Sequence, residues 1–217
     1  MRKILSVSLL FIGSSLLATA QIKKSAVLLG GQISFYTAKN AGNPAPPINT
    51  KSTGASLNLS IGKAFKENIV AGIYTWYGQN KNENVYSANS YYNFQTDNYG
   101  AGLFYRKYKN FSKNFYFFGE LNGGFSGSKQ TQENTQPSNK ITSTQNGIQL
   151  GITPGLSYQI YKKLQLEILV PSVAGLNYAV TKTTSQNITT KGSLFQFSTN
   201  LNSSFLNNIA LGFKFVL

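Results

Sequence analysis

The closing stretch of the chain limits its fold more than any other feature. From Phe195 to Leu217 the odd positions read Phe195, Phe197, Thr199, Leu201, Ser203, Phe205, Asn207, Ile209, Leu211, Phe213, Phe215 and Leu217; nine of the twelve are large and apolar. The even positions between them are mostly Gln, Ser, Asn, Gly and Lys. Successive side chains of a strand point to opposite faces, so this reads as one long two-faced strand. A helix would scatter the same residues around its axis.

The same period returns upstream. Ile148, Leu150 and Ile152 alternate with Gln149, Gly151 and Thr153; Leu164, Leu166 and Ile168 with Gln165 and Glu167. Leu57, Leu59 and Ile61 alternate with Asn58, Ser60 and Gly62; Phe115, Phe117 and Leu121 share one parity, as do Tyr99, Leu103 and Tyr105. Eight strands follow, near 25–36, 53–63, 68–79, 91–107, 114–127, 143–161, 164–181 and 193–217. Residues 25–36 and 68–79 are partly apolar on both faces, so the pattern leaves their orientation open. Short links lie near 63–67, 108–113 and 162–163. Long polar links lie near 37–52, 80–90, 128–142 and 182–192. Pro154 and Pro171 fall inside adjacent strands, where a missing backbone donor predicts a bulge or kink.

Composition decides which way the faces point. Charged residues make up 12% of the chain, against about 25% in ordinary soluble domains. The polar parity is built from Gly, Ser, Thr, Asn and Gln rather than from the Lys and Glu that guard a water-exposed sheet. Small polar residues suit the narrow lumen of an eight-stranded barrel, and large apolar ones suit hydrocarbon. The expected fold is therefore all-β: an eight-stranded antiparallel up-and-down transmembrane β-barrel. The strands are long enough to climb beyond the ~25 Å lipid-facing band. The chain has no His and no Cys, which excludes a Ser-His-Asp triad, a Cys nucleophile and zinc-finger ligands. No cofactor or metal is expected. Nucleic acid is not an expected partner despite a formal charge of +14.

The N-terminus is consistent with export. Arg2 and Lys3 precede a short apolar run to Ala18, and Ala18-Thr19-Ala20 supplies a small-x-small cleavage site, as in a secretory signal peptide. The expected organisation is a signal peptide at 1–20 and one barrel domain at 21–217.

With this signal, the opening Leu28-Leu29-Gly30-Gly31-Gln32-Ile33-Ser34-Phe35 and the closing Leu211-Gly212-Phe213-Lys214-Phe215-Val216-Leu217, the chain resembles the small OmpA/OmpX-like outer-membrane β-barrels of Gram-negative bacteria. The resemblance implies an integral outer-membrane location with both termini and the short turns on the periplasmic side. It also implies that Leu211, Phe213, Phe215 and Leu217 act as an assembly signal for the barrel-insertion machinery. In that family the last residue is commonly aromatic; here it is Leu217, with Phe215 two places earlier. Its small enzymes use a catalytic His, which this chain lacks, so a non-enzymatic structural or surface-interaction role is expected. The alternatives are a narrow pore for small solutes and a soluble secreted ligand-binding barrel. Expected partners are outer-membrane lipid, the barrel-assembly machinery and an unidentified extracellular ligand.

The inward charges are Arg106, Glu120, Glu167 and Lys214. A buried charge needs a partner. Glu167 and Lys214 are expected to pair near the periplasmic end. Arg106 and Glu120 are read as neighbours at different heights, a structural filling rather than an ion path. Tyr105, Tyr108, Phe115, Tyr158, Tyr161, Phe213 and Phe215 gather at the short-turn end, as an interfacial aromatic girdle would. Lys63, Lys66, Arg106, Lys107, Lys109, Lys113, Lys162 and Lys163 crowd the same end, where anionic headgroups or plain solvation would account for them.

Overall fold

Residues 22–41, 49–87, 90–134, 141–170, 172–185, 188–199 and 210–217 are described by a computed structural model. The leader at 1–20, Pro171 and the 200–209 part of the last expected strand lie outside the described residues.

Among the described residues, ten strand segments form the wall: β1 (Val27–Ala41), β2 (Asn49–Lys66), β3 (Ile69–Ser87), β4 (Ser90–Ser112), β5 (Phe115–Asn134), β6 (Ile141–Tyr161), β7 (Leu164–Leu169), β8 (Ala174–Ser185), β9 (Ile188–Thr199) and β10 (Ala210–Val216). They make eight staves. β7 and β8 are successive halves of one stave, both paired to β6. β9 and β10 form another, paired to β8 and β7 respectively. Each of β1–β6 pairs antiparallel with the next. The ring closes where β10 meets β1, with Leu29 opposite Phe215 and Gly31 opposite Phe213. The fold is a closed, eight-stave antiparallel up-and-down barrel.

The parity of each strand survives in the structure. Leu103 on β4 is 68% exposed on the outer face, while its neighbour Phe104 is buried inside. The two segments of open orientation settle the same way. Leu29, Ile33, Phe35, Ile73 and Tyr77 face outward, and Leu28 and Val70 face the lumen. On β6 the outward apolar residues run from Ile148 to Ile160, about 30 Å at ~3.3 Å per residue and ~40° tilt.

One end, here the base, carries the tight turns. β2 and β3 meet through Glu67-Asn68, with Asn68 in the left-handed region at φ 59°; Asn tolerates that conformation better than most residues. Each strand entering a base turn slips by one residue just before it, between Ala64 and Lys66, Asn110 and Ser112, and Gln159 and Tyr161. The other end, the rim, departs from expectation. The segments expected as long polar links are mostly strand: β3 runs to Ser87 and β4 restarts at Ser90, paired throughout except for one slip between Val85 and Ser87. The alternation fades there because polar residues occupy both faces. The hydrogen-bond ladder continues regardless, since it depends on backbone groups alone.

The proline expectation has a structural counterpart. Opposite Pro154 the seventh stave breaks between Leu169 and Ala174. Val170 donates to the Pro154 carbonyl and Val173 to that of Ile152, and the register moves from Gly155 opposite Leu169 to Ile152 opposite Ala174, two residues more on this stave than on β6. N–H and C=O of one strand residue point to the same side, so the donor that Pro154 lacks faces this bulge. Ser172 within it has φ 43°.

Candidate functional site

The lumen holds two layers. The lower one is apolar and aromatic, which the reading of small polar residues along the axis did not anticipate. Leu28, Ala64, Val70, Tyr108, Tyr116 and Phe118 pack together at the base with Ile22, from the segment leading into β1, and Phe104 and Leu169 continue this cluster one inward position rimward of Arg106 and Glu167 on their strands. Ile22 is held there by a pair of bonds to Asn68: its N–H donates to Asn68 Oδ1 at 3.1 Å, and Asn68 N–H donates to its carbonyl at 3.0 Å. Phe118 has no solvent exposure, and its ring fills the place where a side chain on Gly155 of the next stave would sit. Any larger residue at Gly155 would have to displace it.

Directly above lies the charged layer. Arg106 on β4 and Glu120 on β5 are register partners, at one height rather than two. The guanidinium reaches Glu120 Oε2 through Nε at 2.8 Å and Nη2 at 2.7 Å. Its Nη1 crosses to Glu167 Oε1 on β7 at 2.7 Å. Three staves meet in one guanidinium, the rigid fork that suits two carboxylates at once. Arg106 also lies 4.1 Å from the Phe118 ring centroid, so the aromatic layer supports it from below. The expected Glu167–Lys214 pair does not form. Glu167 faces Gly212 in the register and Lys214 faces Gln165, and the short carboxylate is taken by Arg106. Lys214 Nζ instead donates to Ser60 Oγ at 2.9 Å and stands 5.2 Å from the Phe104 ring centroid. Its stem lies over Gly30, where any β-carbon would collide with it.

Tyr108 leaves the expected girdle. It shares the inward parity of Phe104 and Arg106, is 3% exposed, and hydrogen-bonds Arg106 Nη1 at 3.0 Å and Glu167 Oε1 at 3.3 Å. Parity alone would have found it; nearness to the base turn suggested the wrong face. Tyr105, Phe115, Tyr158, Tyr161, Phe213 and Phe215 do point outward near the base. Phe115 and Tyr158 pair across strands at 4.6 Å between ring centroids. Leu211 and Leu217 share the outward face of the last strand with Phe213 and Phe215.

Over the charged layer sits a cavity of about 240 Å³, bounded by Gln32, Asn58, Ser60, Tyr74, Trp76, Asn122, Gln149 and Thr153 as well as the ionic groups. Asn122 ties its wall together, donating to Thr153 Oγ1 at 3.2 Å and Glu120 Oε1 at 3.4 Å. Asn58, Tyr74, Trp76 and Gln149 keep partial exposure, whereas Arg106, Glu167 and Lys214 are buried. The chamber therefore opens toward the rim and ends at the ionic floor.

No protein-family model matches the chain, and no curated protein matches it. Among solved structures, the chain is similar to the outer membrane protein OprG of Pseudomonas aeruginosa (10% identity, covering 90% of this chain and 97% of that one, TM-score 0.48). It is also similar to Ail, the attachment invasion locus protein of Yersinia pestis (10%, 89% and 99%, 0.36). A third similarity is to the outer membrane protease OmpT of Escherichia coli (10%, 90% and 91%, 0.41).

Proposed function

We propose that this chain is an integral barrel of a Gram-negative outer membrane, with a non-enzymatic structural or surface-interaction role. A broad outward apolar band supports the location. Soluble monomers rarely expose apolar patches beyond a few hundred Å², and each Leu or Phe buried in an apolar phase gains about 1.5–3 kcal/mol. A soluble ligand-binding barrel would turn this face inward. The exposed Lys63, Lys66, Lys107, Lys109, Lys113, Lys162 and Lys163 at the base would meet periplasmic-side headgroups, with the outward aromatics as the interfacial girdle. Leu211, Phe213, Phe215 and Leu217 would then be read by the insertion machinery before they face lipid.

One observation carries the choice of an anchored module over a conduit. The base of the lumen is filled by Ile22, Tyr108, Tyr116 and Phe118 beneath an interlocked ionic layer, while the paired polar walls continue past the apolar band to the rim. Planar-bilayer recording tests this. The wild-type protein is expected to show no channel steps at any voltage, and the double variant Tyr108→Ala, Phe118→Ala is expected to admit them. Steady conductance from the wild type would favour the pore instead.

A further inference from the structure

The chamber above the ionic floor has a chemical bias that the anchoring role does not use. Its fixed charges already balance: Arg106 and Lys214 against Glu120 and Glu167. A further ion would bring uncompensated charge into a confined space beside buried charges, which is costly. Yet hydrogen-bonding capacity is left over. Lys214 has three N–H donors and spends one, on Ser60. The Tyr74 hydroxyl is buried with no partner in hydrogen-bonding geometry among the described residues. Asn58 and Gln149 present amides, and Trp76 presents an aromatic ring.

We propose that this chamber binds an uncharged polyhydroxylated molecule of monosaccharide size. Each hydroxyl of such a ligand both donates and accepts, so it can answer Lys214, Tyr74 and the amides together without adding charge. A volume of about 240 Å³ falls below the ~300–1,000 Å³ of drug-sized pockets, as a single sugar ring requires. The ligand enters from the rim and goes no further, because the floor is closed.

Trp76 is the only tryptophan of the chain, so its emission reports the chamber directly. Wild-type protein refolded in detergent is titrated with glucose, galactose and N-acetylglucosamine, and in parallel with glucuronate and glucosamine. At least one neutral sugar is expected to give a saturable change at millimolar concentration, about tenfold tighter than either charged sugar. Tyr74→Phe, which removes only the hydroxyl, is expected to weaken that response several-fold. Asn58→Leu with Gln149→Leu is expected to abolish it while the protein still migrates as a folded barrel. No saturable change with any neutral sugar up to about 100 mM, far above the ~1 mM of a weak complex, would overturn the proposal. So would equal or tighter response to the charged sugars, or an unchanged response in the folded double variant. Because the inference rests on the closed floor, conductance of the wild type is recorded alongside. Silent bilayers with no sugar response sink the chamber alone.

Discussion

At the scale of the residue, Arg106 matters most. It is 3% exposed and the shared partner of two carboxylates, one of which, Glu167, is only 2% exposed. Removing one member of a buried ionic set leaves the others uncompensated, at a cost of about 3–5 kcal/mol. Arg106→Met keeps the bulk and deletes the charge. It is expected to lower the unfolding free energy of the folded barrel in detergent, read from a urea titration, by an amount in that range; a loss under about 1 kcal/mol would mean that water or rearrangement satisfies Glu167. Sequence parity placed all four charges in the lumen. It could not assign their partners, because register is set by the turns, and each base turn carries a one-residue slip. That slip raised Glu120 to the level of Arg106.

At the scale of the element, the rim hairpins behave differently from the band beneath them. Above Tyr77 and Tyr99 the outer face turns polar, and two acidic residues are held there by neighbours. Glu83 accepts from Lys81 at 2.8 Å and lies 4.0 Å from Lys51; first the hydrogen bond and then the charge of Lys81 hold its carboxyl below the usual carboxylate range. Asp97 is held low chiefly by Gln79, which donates to it at 2.8 Å. A carboxylate whose folded-state pKa is depressed stabilises the fold above its unfolded value, and that contribution disappears as pH falls through the folded value. Both groups are largely solvated, so the effect is modest. Amide exchange, corrected for intrinsic rates, is expected to show a few-fold loss of protection at Asn80–Glu83 on going from neutral pH to below about pH 4, with Gly102–Tyr105 changing less. Equal loss in both segments would argue against a local origin. These hairpins were illegible as strands because alternation is a signature of contrasting environments, and here water bathes both faces. The bulge at Val170–Val173 was legible for the opposite reason, since Pro154 removes a backbone donor wherever it stands.

For the whole molecule, the closed ring has a simple experimental signature. A folded transmembrane barrel resists detergent unfolding at room temperature, so unboiled and boiled samples of an outer-membrane fraction are expected to migrate at different apparent sizes on a denaturing gel. Identical migration, or recovery in the soluble extract, would contradict membrane insertion. Much of this architecture was readable beforehand: the stave number, the outward greasy face, and the asymmetry between a tight base and a tall rim. The aromatic filling of the base was not. Leu28, Val70 and Phe118 break the rule that the inward parity is small and polar, and they pack there around Ile22, whose segment precedes the first strand and carried no alternation to reveal it.

The contact between Arg106 and Glu167 joins β4 to β7 across the interior, and Lys214 reaches from β10 past β1 to Ser60 on β2. These are spokes as well as ion and hydrogen-bond pairs. A cylinder of hydrogen-bonded ribbon alone can flatten into an ellipse at little expense, but a hoop braced along two chords resists it. The girth of the barrel is thus set from within, which leaves the outer tips free to diverge in sequence without altering the shaft that carries them.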